Sequence, residues 1–178
     1  MMKLPTDRTV FQNAWVVDDF EAAAMKWVNL FNIGPFFYGE YGPGDIVDVS
    51  YRGQPGEINM LAGLAQAGPI QIELIQPLTE GPICYRDTVK KGETKLHHVC
   101  VWSDDLDADL NYYNEKGCVT ANRGTVAVPD LGFAYVDTHA ELGCMIEIIE
   151  RNKMVEDMFK MIADTAENWD GQDPIRSL

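Results

Sequence analysis

Apolar and polar positions along this chain follow two periodicities, and they do so in the same order twice. A stretch with strand character opens each half: Gln12-Asn-Ala-Trp-Val-Val in the first, His98-Val-Cys-Val-Trp-Ser in the second. Each is followed by two acids, Asp18 and Asp19 or Asp104 and Asp105, and then by a run with helical spacing. Phe20, Ala24, Trp27 and Phe31 recur at intervals of three and four, as do Leu106, Leu110 and Tyr113, so each run has one apolar stripe to lay on a sheet. An Asp just ahead of such a stripe accepts hydrogen bonds from the free amides of the first turn. Asp18 or Asp19, and Asp104 or Asp105, are therefore read as helix caps rather than as a metal cluster. Gly34-Pro35 and Gly117 stop the two helices.

Short β-rich runs come next: Phe36 to Tyr41, Ile46 to Tyr51 and Gln71 to Ile75, then Val119 to Val128, Phe133 to Asp137 and Met145 to Ile149. Pro43-Gly44, Gly53-Gln54-Pro55-Gly56 and Pro129-Asp130 supply the turn chemistry between them. The halves close alike, on Ile72-Glu73-Leu74-Ile75-Gln76 and Ile146-Glu147-Ile148-Ile149-Glu150. Gln12 and His98 lie 86 positions apart while Glu73 and Glu147 lie 74 apart, so the first half carries an insertion of twelve residues. Strand, helix, then several strands, repeated, predicts an α+β fold. One domain over 1–178 is expected, with module one about 8–80, a linker 81–95, module two about 96–150 and a helix over 151–170. That last helix follows from the spacing of Met154, Met158, Met161 and Ile162. Its methionine stripe is expected to pack on the sheet or on a second subunit.

Composition narrows the partners. The 178 residues are 46% hydrophobic and 24% charged, as in ordinary globular chains. A formal net charge of −14 without a basic run argues against nucleic acid. No apolar stretch approaches the roughly 20 residues of a membrane-spanning helix. Cys84, Cys100, Cys118 and Cys144 are widely spaced with no CxxC pair, and the chain opens without a signal-peptide pattern, so a reducing cytoplasm is expected.

The repeat also points to chemistry. Equivalent strand positions of two duplicated modules face equivalent places on the joined sheet. Gln12 is equivalent to His98 and Glu73 to Glu147, and both carboxylates interrupt runs of Ile and Leu. A lone buried carboxylate costs roughly several kcal/mol. If the four residues converge, one divalent cation compensates them, since all offer nitrogen or oxygen donors.

These residues resemble the vicinal oxygen chelate superfamily, the glyoxalase, bleomycin resistance and extradiol dioxygenase group, over roughly Val10 to Glu150. The resemblance is carried by Trp15-Val-Val-Asp-Asp-Phe-Glu, Gln71-Ile-Glu-Leu-Ile-Gln-Pro-Leu, Leu96-His-His-Val-Cys-Val-Trp, Phe133-Ala-Tyr-Val-Asp-Thr and Leu142-Gly-Cys-Met-Ile-Glu-Ile-Ile-Glu, which together look like the methylmalonyl-CoA epimerase-like branch. It implies two tandem βαβββ modules in a curved, cleft-bearing mixed sheet. It also implies one divalent metal, Zn, Ni, Co or Mn, on Gln12, Glu73, His98 and Glu147. The epimerase-like pattern has His where this chain has Gln12, and the Gln, Glu, His, Glu set is similar to zinc-containing glyoxalase I. Extradiol dioxygenases hold iron with two His and one Glu, so Gln12 and the single-pair length place oxygen chemistry behind.

The function that the resemblance implies is a metal-dependent lyase, isomerase or epimerase acting on a small carbonyl compound or thioester through an enolate-type intermediate. Glu147 is the expected base and Glu73 the second catalytic carboxylate, with Glu40 as the alternative second group. The other class is a non-catalytic protein that binds or sequesters a small molecule in the same cleft. A homodimer is implied by the resemblance and by the tail helix. For a CoA thioester the candidate cations are Arg8, Arg52, Lys90, Lys91, Lys95 and Arg123, scattered over an acidic chain. The insertion around Pro43 to Gly56 is the expected seat of specificity. Strand alternation puts His97 on the opposite face from His98, in packing rather than ligation. His139 falls in a polar loop, either lining the substrate or solvated. Trp15, Trp27, Trp102, Phe36 and Phe37 are expected in the core or pocket wall, and Tyr135 in either role.

Overall fold

The computed structural model describes residues 9–178, so Arg8, the first residue of module one, lies outside the described residues. In chain order the elements are β1 (Gln12–Val16), α1 (Phe20–Phe31), β2 (Phe36–Tyr41), β3 (Ile46–Tyr51), β4 (Gln54–Pro55), β5 (Met60–Ala67), β6 (Ile70–Pro77) and the short α2 (Tyr85–Thr88). There follow β7 (Lys95–Ser103), α3 (Leu106–Asn114), β8 (Thr120–Val126), β9 (Leu131–Val136), α4 (His139–Leu142), β10 (Met145–Glu150), α5 (Lys153–Glu167) and β11 (Ile175–Ser177).

All strands join one curved, open sheet in the order β11-β2-β5-β6-β1-β7-β10-β9-β8-β3-β4. Within it, β2-β5-β6-β1 and β8-β9-β10-β7 are the same arrangement of two βαβββ units, each with its first strand parallel to its last. The units meet where β1 and β7 pair antiparallel, which brings the two equivalent opening strands to the centre. Asp19 and Asp105 are the acids that cap α1 and α3, accepting from the amides of Ala22 and Ala108. Asn32, in the left-handed region at φ 55°, ends α1 ahead of Gly34.

Each strand sorts its side chains by alternation. Ile72 and Leu74 pack with Phe20 and Ala24 of α1, and Ile146 and Ile148 pack with Leu106 and Leu110 of α3. The other face is left to Gln71, Glu73 and Ile75 and to Met145, Glu147 and Ile149. There the largest cluster forms, with Trp102, Phe133, Tyr85 and Val155. The tail helix α5 docks on this face, burying Val155 and Ile162, and β11 then pairs parallel with β2 at the sheet edge. Of the methionine stripe, Met158 is half-buried against this cluster while Met154 and Met161 are exposed.

Two features depart from the sequence reading. The third strand of the first unit is β5, whose Met-Leu-Ala-Gly-Leu-Ala-Gln-Ala has weak strand character. Gly63 within it is required by close packing: a Cβ there would stand 2.2 Å from the Phe20 ring. Ile46 to Tyr51 is a strand as expected, but it belongs to the insertion and pairs with β8 at the edge of the second unit. Arg52 fastens this hairpin, reaching Asp87 and Asp137 at 2.7 Å each.

Candidate metal centre and cleft

Register places the predicted site residues in two adjacent rows across the central strands. One row runs Leu64, Glu73, Ala14, His98, Met145 and the next Gln71, Gln12, Cys100, Glu147, Tyr135. Partners in register point to one face, so Glu73, His98, Glu147 and Gln12 share the cleft side. Ala14, between Glu73 and His98, leaves room for the imidazole and carboxylate to approach. His98 Nε2 lies 3.3 Å from Glu73 Oε2 and 3.2 Å from Glu147 Oε2, with His98 wholly buried. One donor atom from each of the three falls within 4.8 Å of the others. Gln12 is buried in the adjacent row, its Nε2 donating to Gln71 Oε1 at 2.7 Å, which leaves its carbonyl oxygen free to accept.

The donor set fits a cation. Despite the short distances, His98 Nε2 and Glu73 Oε2 are buried without a hydrogen-bond partner, because neither approach has hydrogen-bond geometry. Atoms about 2.0–2.2 Å from one ion stand about 3 Å apart when they subtend a right angle there, close to the two distances seen. Glu73 Oε2 and His98 Nε2 are the kind of buried polar atoms that ordinarily have a partner.

His97 completes the arrangement from an unexpected side. Ala14 pairs with His98 and Trp15 with Leu96, so His97 is the extra residue of a β-bulge in β7. A bulge breaks strict alternation, and His97 turns to the cleft face instead of the opposite one. It is 1% exposed and packs against Tyr85 and Tyr135. Its Nε2 meets the Cys84 carbonyl at 3.1 Å and its Nδ1 meets His98 Nδ1 at 2.9 Å. Burial, together with the charge on His98, lowers His97 to about 3, so it is neutral. A neutral His97 that donates from Nε2 to the carbonyl accepts at Nδ1, and His98 must then donate from Nδ1. The His98 nitrogen aimed at the carboxylates is thereby the one available to a cation.

Electrostatics separate the two carboxylates. Burial raises Glu73, with a further push from Glu147. Burial raises Glu147 as well, but the His98 charge, aided by the polar Tyr135 hydroxyl and Cys100 thiol in register beside it, outweighs it, and Glu147 is held below its ordinary value. Burial opposes charge on His98, yet the Glu147 and Glu73 carboxylates carry it up to about 9. Tyr135 also lies 2.9 Å from the Tyr85 hydroxyl.

Gln12, Glu73 and Glu147 open into a cavity of about 250 Å³, to which α5 contributes Met154, Val155, Met158 and Phe159. Ile46 of the insertion also lines it. Trp15, Trp27 and Phe36 are on the helix-side core, Phe37 packs near α5, and Trp102 stacks on Phe11. Glu40 and His139 are exposed and do not line the cavity. Sequence reasoning missed His97, Gln71 and Tyr85. The one available signal was a second His on a strand whose other helix-side positions, Val99 and Val101, are apolar.

A duplicated βαβββ sheet with a His and two carboxylates meeting across its central strands, at the floor of a cleft, defines the class to which this chain is compared. The profile of the Glyoxalase/Bleomycin resistance protein/Dioxygenase superfamily matches residues 11–135, and the chain belongs to that superfamily. No curated protein matches it. Among solved structures it is similar to a hypothetical protein from Bacillus halodurans C-125, with 15% identity, 83% of this chain and 96% of that one covered, and a TM-score of 0.59. It is similar too to methylmalonyl-CoA epimerase from Mycobacterium tuberculosis, at 16% identity, coverage of 88% and 97%, and a TM-score of 0.57. Streptomyces coelicolor methylmalonyl-CoA epimerase gives 17%, coverage of 83% and 97%, and 0.54. At these identities the likeness is one of fold, and it agrees with the epimerase-like resemblance. No helix among the described residues is long and apolar enough to cross a membrane.

Proposed function

We propose that this chain is a metal-dependent isomerase, epimerase or lyase acting on a small carbonyl compound. The observation that carries the reading is the His98 Nε2 placed 3.2–3.3 Å from two carboxylates, unpartnered and buried, beside an apolar-walled cavity. Gln12, Glu73, His98 and Glu147 would hold the ion, and a set of one imidazole with oxygen donors suits Zn, Ni, Co or Mn. A divalent cation bound there supplies a Lewis acid that polarises a substrate carbonyl. Glu147 takes the proton from the carbon next to that carbonyl, and Tyr135 orients its carboxylate. Glu73, on β6, stands on the far side of His98, separated from β10 by β1 and β7, where it can return the proton from the other side. His97 fixes the His98 ring, and the apolar walls exclude water from the transfer.

The test pairs metal content with proton exchange. Protein purified without chelator is expected to carry about one ion per chain and to exchange the hydrogen next to a ketone for deuterium in heavy water. Glu147→Gln should slow that exchange by about a hundredfold or more. Unchanged exchange in Glu147→Gln removes Glu147 as the base. A chain that stays metal-free in excess Zn, Ni, Co and Mn favours the second reading, a non-catalytic small-molecule binder, which the mostly apolar lining also supports. The homodimer is part of this reading, and a monomer in sedimentation removes it.

The methylmalonyl-CoA epimerase solved with methylmalonyl-CoA and NH4+ makes a thioester a natural candidate. The cations of this chain speak against a charged acyl group in the cleft. Arg52 is committed to Asp87 and Asp137, Arg123 to Asp107 and Lys95 to Glu93. Neither these nor Lys90 and Lys91 line the cavity.

A further inference from the structure

We infer that the compound this cavity takes is a neutral, hydrocarbon-bodied ketone or α-diketone, with an aryl or branched alkyl group against the walls and no carboxylate or phosphate inside. That it is a carbonyl compound rests on the function proposed above; that it is uncharged and apolar rests on the lining alone.

Polar side chains reach the cavity only from Gln12, Tyr41, Glu73, Tyr135 and Glu147, and among the described residues every other lining side chain is apolar. No Lys, Arg or His is in that lining, among the described residues. The charge balance follows. Two carboxylates match one divalent ion, and the site is then neutral. A ligand anion brought into it would find no counter-charge and would lose its hydration among Leu64, Phe133, Ile149 and Phe159. A ketone oxygen has no such cost, and the Tyr41 hydroxyl and an ion held by the carboxylates are suited to it.

The mouth has the same character. Val128, Met154 and Leu178 line the cavity and are 79%, 61% and 49% exposed. Large apolar side chains left wet around an apolar opening mark a binding groove. Met154 and Met158 are unbranched and polarisable, able to adapt to the outline of a ring or alkyl chain.

The experiment is a matched pair of ligands, phenylglyoxylate and methyl phenyl diketone, which differ by a carboxylate oxygen in place of a methyl group. Binding is measured calorimetrically on the metal-loaded and the chelator-treated protein. The diketone is expected to bind at least about tenfold tighter, 1.4 kcal/mol or more, in both forms. Met154→Lys, at an exposed position where folding is not in question, should narrow the gap by favouring the anion. Equal or tighter binding of phenylglyoxylate to the loaded protein overturns the inference, as it would on the untreated chain if no metal loads. Failure of the diketone to bind either form overturns it too. If metal does not load but the diketone is still preferred, the catalytic reading falls and this one stands. Metal loading with the anion preferred gives the reverse.

Discussion

Glu73 and Glu147 occupy the same position in two copies of one module, flank the same imidazole at nearly the same distance, and differ in chemistry. Glu147 has Tyr135 on one neighbouring strand and Cys100 on the other, so a hydroxyl and a thiol meet it. Glu73 has Leu64 and Ala14 at the corresponding places. With the same burial, one carboxylate is held ionised and the other is pushed toward its protonated form. Duplication set where the carboxylates stand; the residues in register beside them set what each can do. The asymmetry suits a pair in which one group takes a proton and the other gives one.

The contrast depends on His98, and removing it should produce the largest effect. In His98→Ala both carboxylates lose their shared partner, and Glu147 is left as a buried charge without a cation. Chelator-treated protein is expected to lose about 3–5 kcal/mol in denaturant unfolding, and metal content should fall from about one ion per chain to near zero. Wild-type stability in this variant would show that both carboxylates are already neutral, which abolishes the difference between them.

Next in size is a pH effect that separates the metal-free from the metal-loaded protein. The folded value of His98 is raised to about 9 from 6.5, so its stabilising contribution is complete below the unfolded value and is lost as pH rises through about 9. Metal-free protein should therefore be less stable at about pH 10 than near neutrality, by on the order of 3 kcal/mol. With an ion in place His98 is held by the metal instead of a proton, and this alkaline loss should be absent. The carboxylates act lower on the scale and oppose each other. The contribution of Glu147, lowered, disappears as pH falls through its folded value; that of Glu73, raised, disappears as pH rises through its own. Unfolding free energies measured from acid to alkaline pH in chelator and in excess metal decide the matter. Parallel curves would mean that His98 does not bind the ion.

The duplicated architecture and the four candidate ligands were legible because they repeat. Gln12 against His98 and Glu73 against Glu147 survive as like positions in like strands, and polar residues inside Ile and Leu runs stand out. Strand β5 was not legible, since Ala and Gly at its centre are dictated by Phe20 lying on it and carry no strand signal of their own. Nor was the destination of Ile46 to Tyr51, because strand character does not say which edge a strand joins. His97 was misplaced for a related reason. Alternation is a rule for regular strands, and a bulge shows itself only when the partner strand is known.

The smallest effect tests the comparison most directly. Tyr135 has one hydroxyl hydrogen; given to Glu147, it leaves Tyr85 to donate to the Tyr135 oxygen. Tyr135→Phe removes that support while keeping the ring against His98 and Phe133. The cost should be about 1 kcal/mol, the net worth of an ordinary hydrogen bond. More telling is the direction in which Glu147 moves. Its carboxyl carbon, followed by NMR in metal-free protein, should titrate at higher pH than in the wild type and so approach Glu73, while Glu73 itself stays nearly where it was. Equal movement of both carboxylates would mean that Tyr135 acts through the His98 ring that they share. An unmoved Glu147 would assign its ionisation to His98 alone, and the neighbours in register would then not be what distinguishes the two copies.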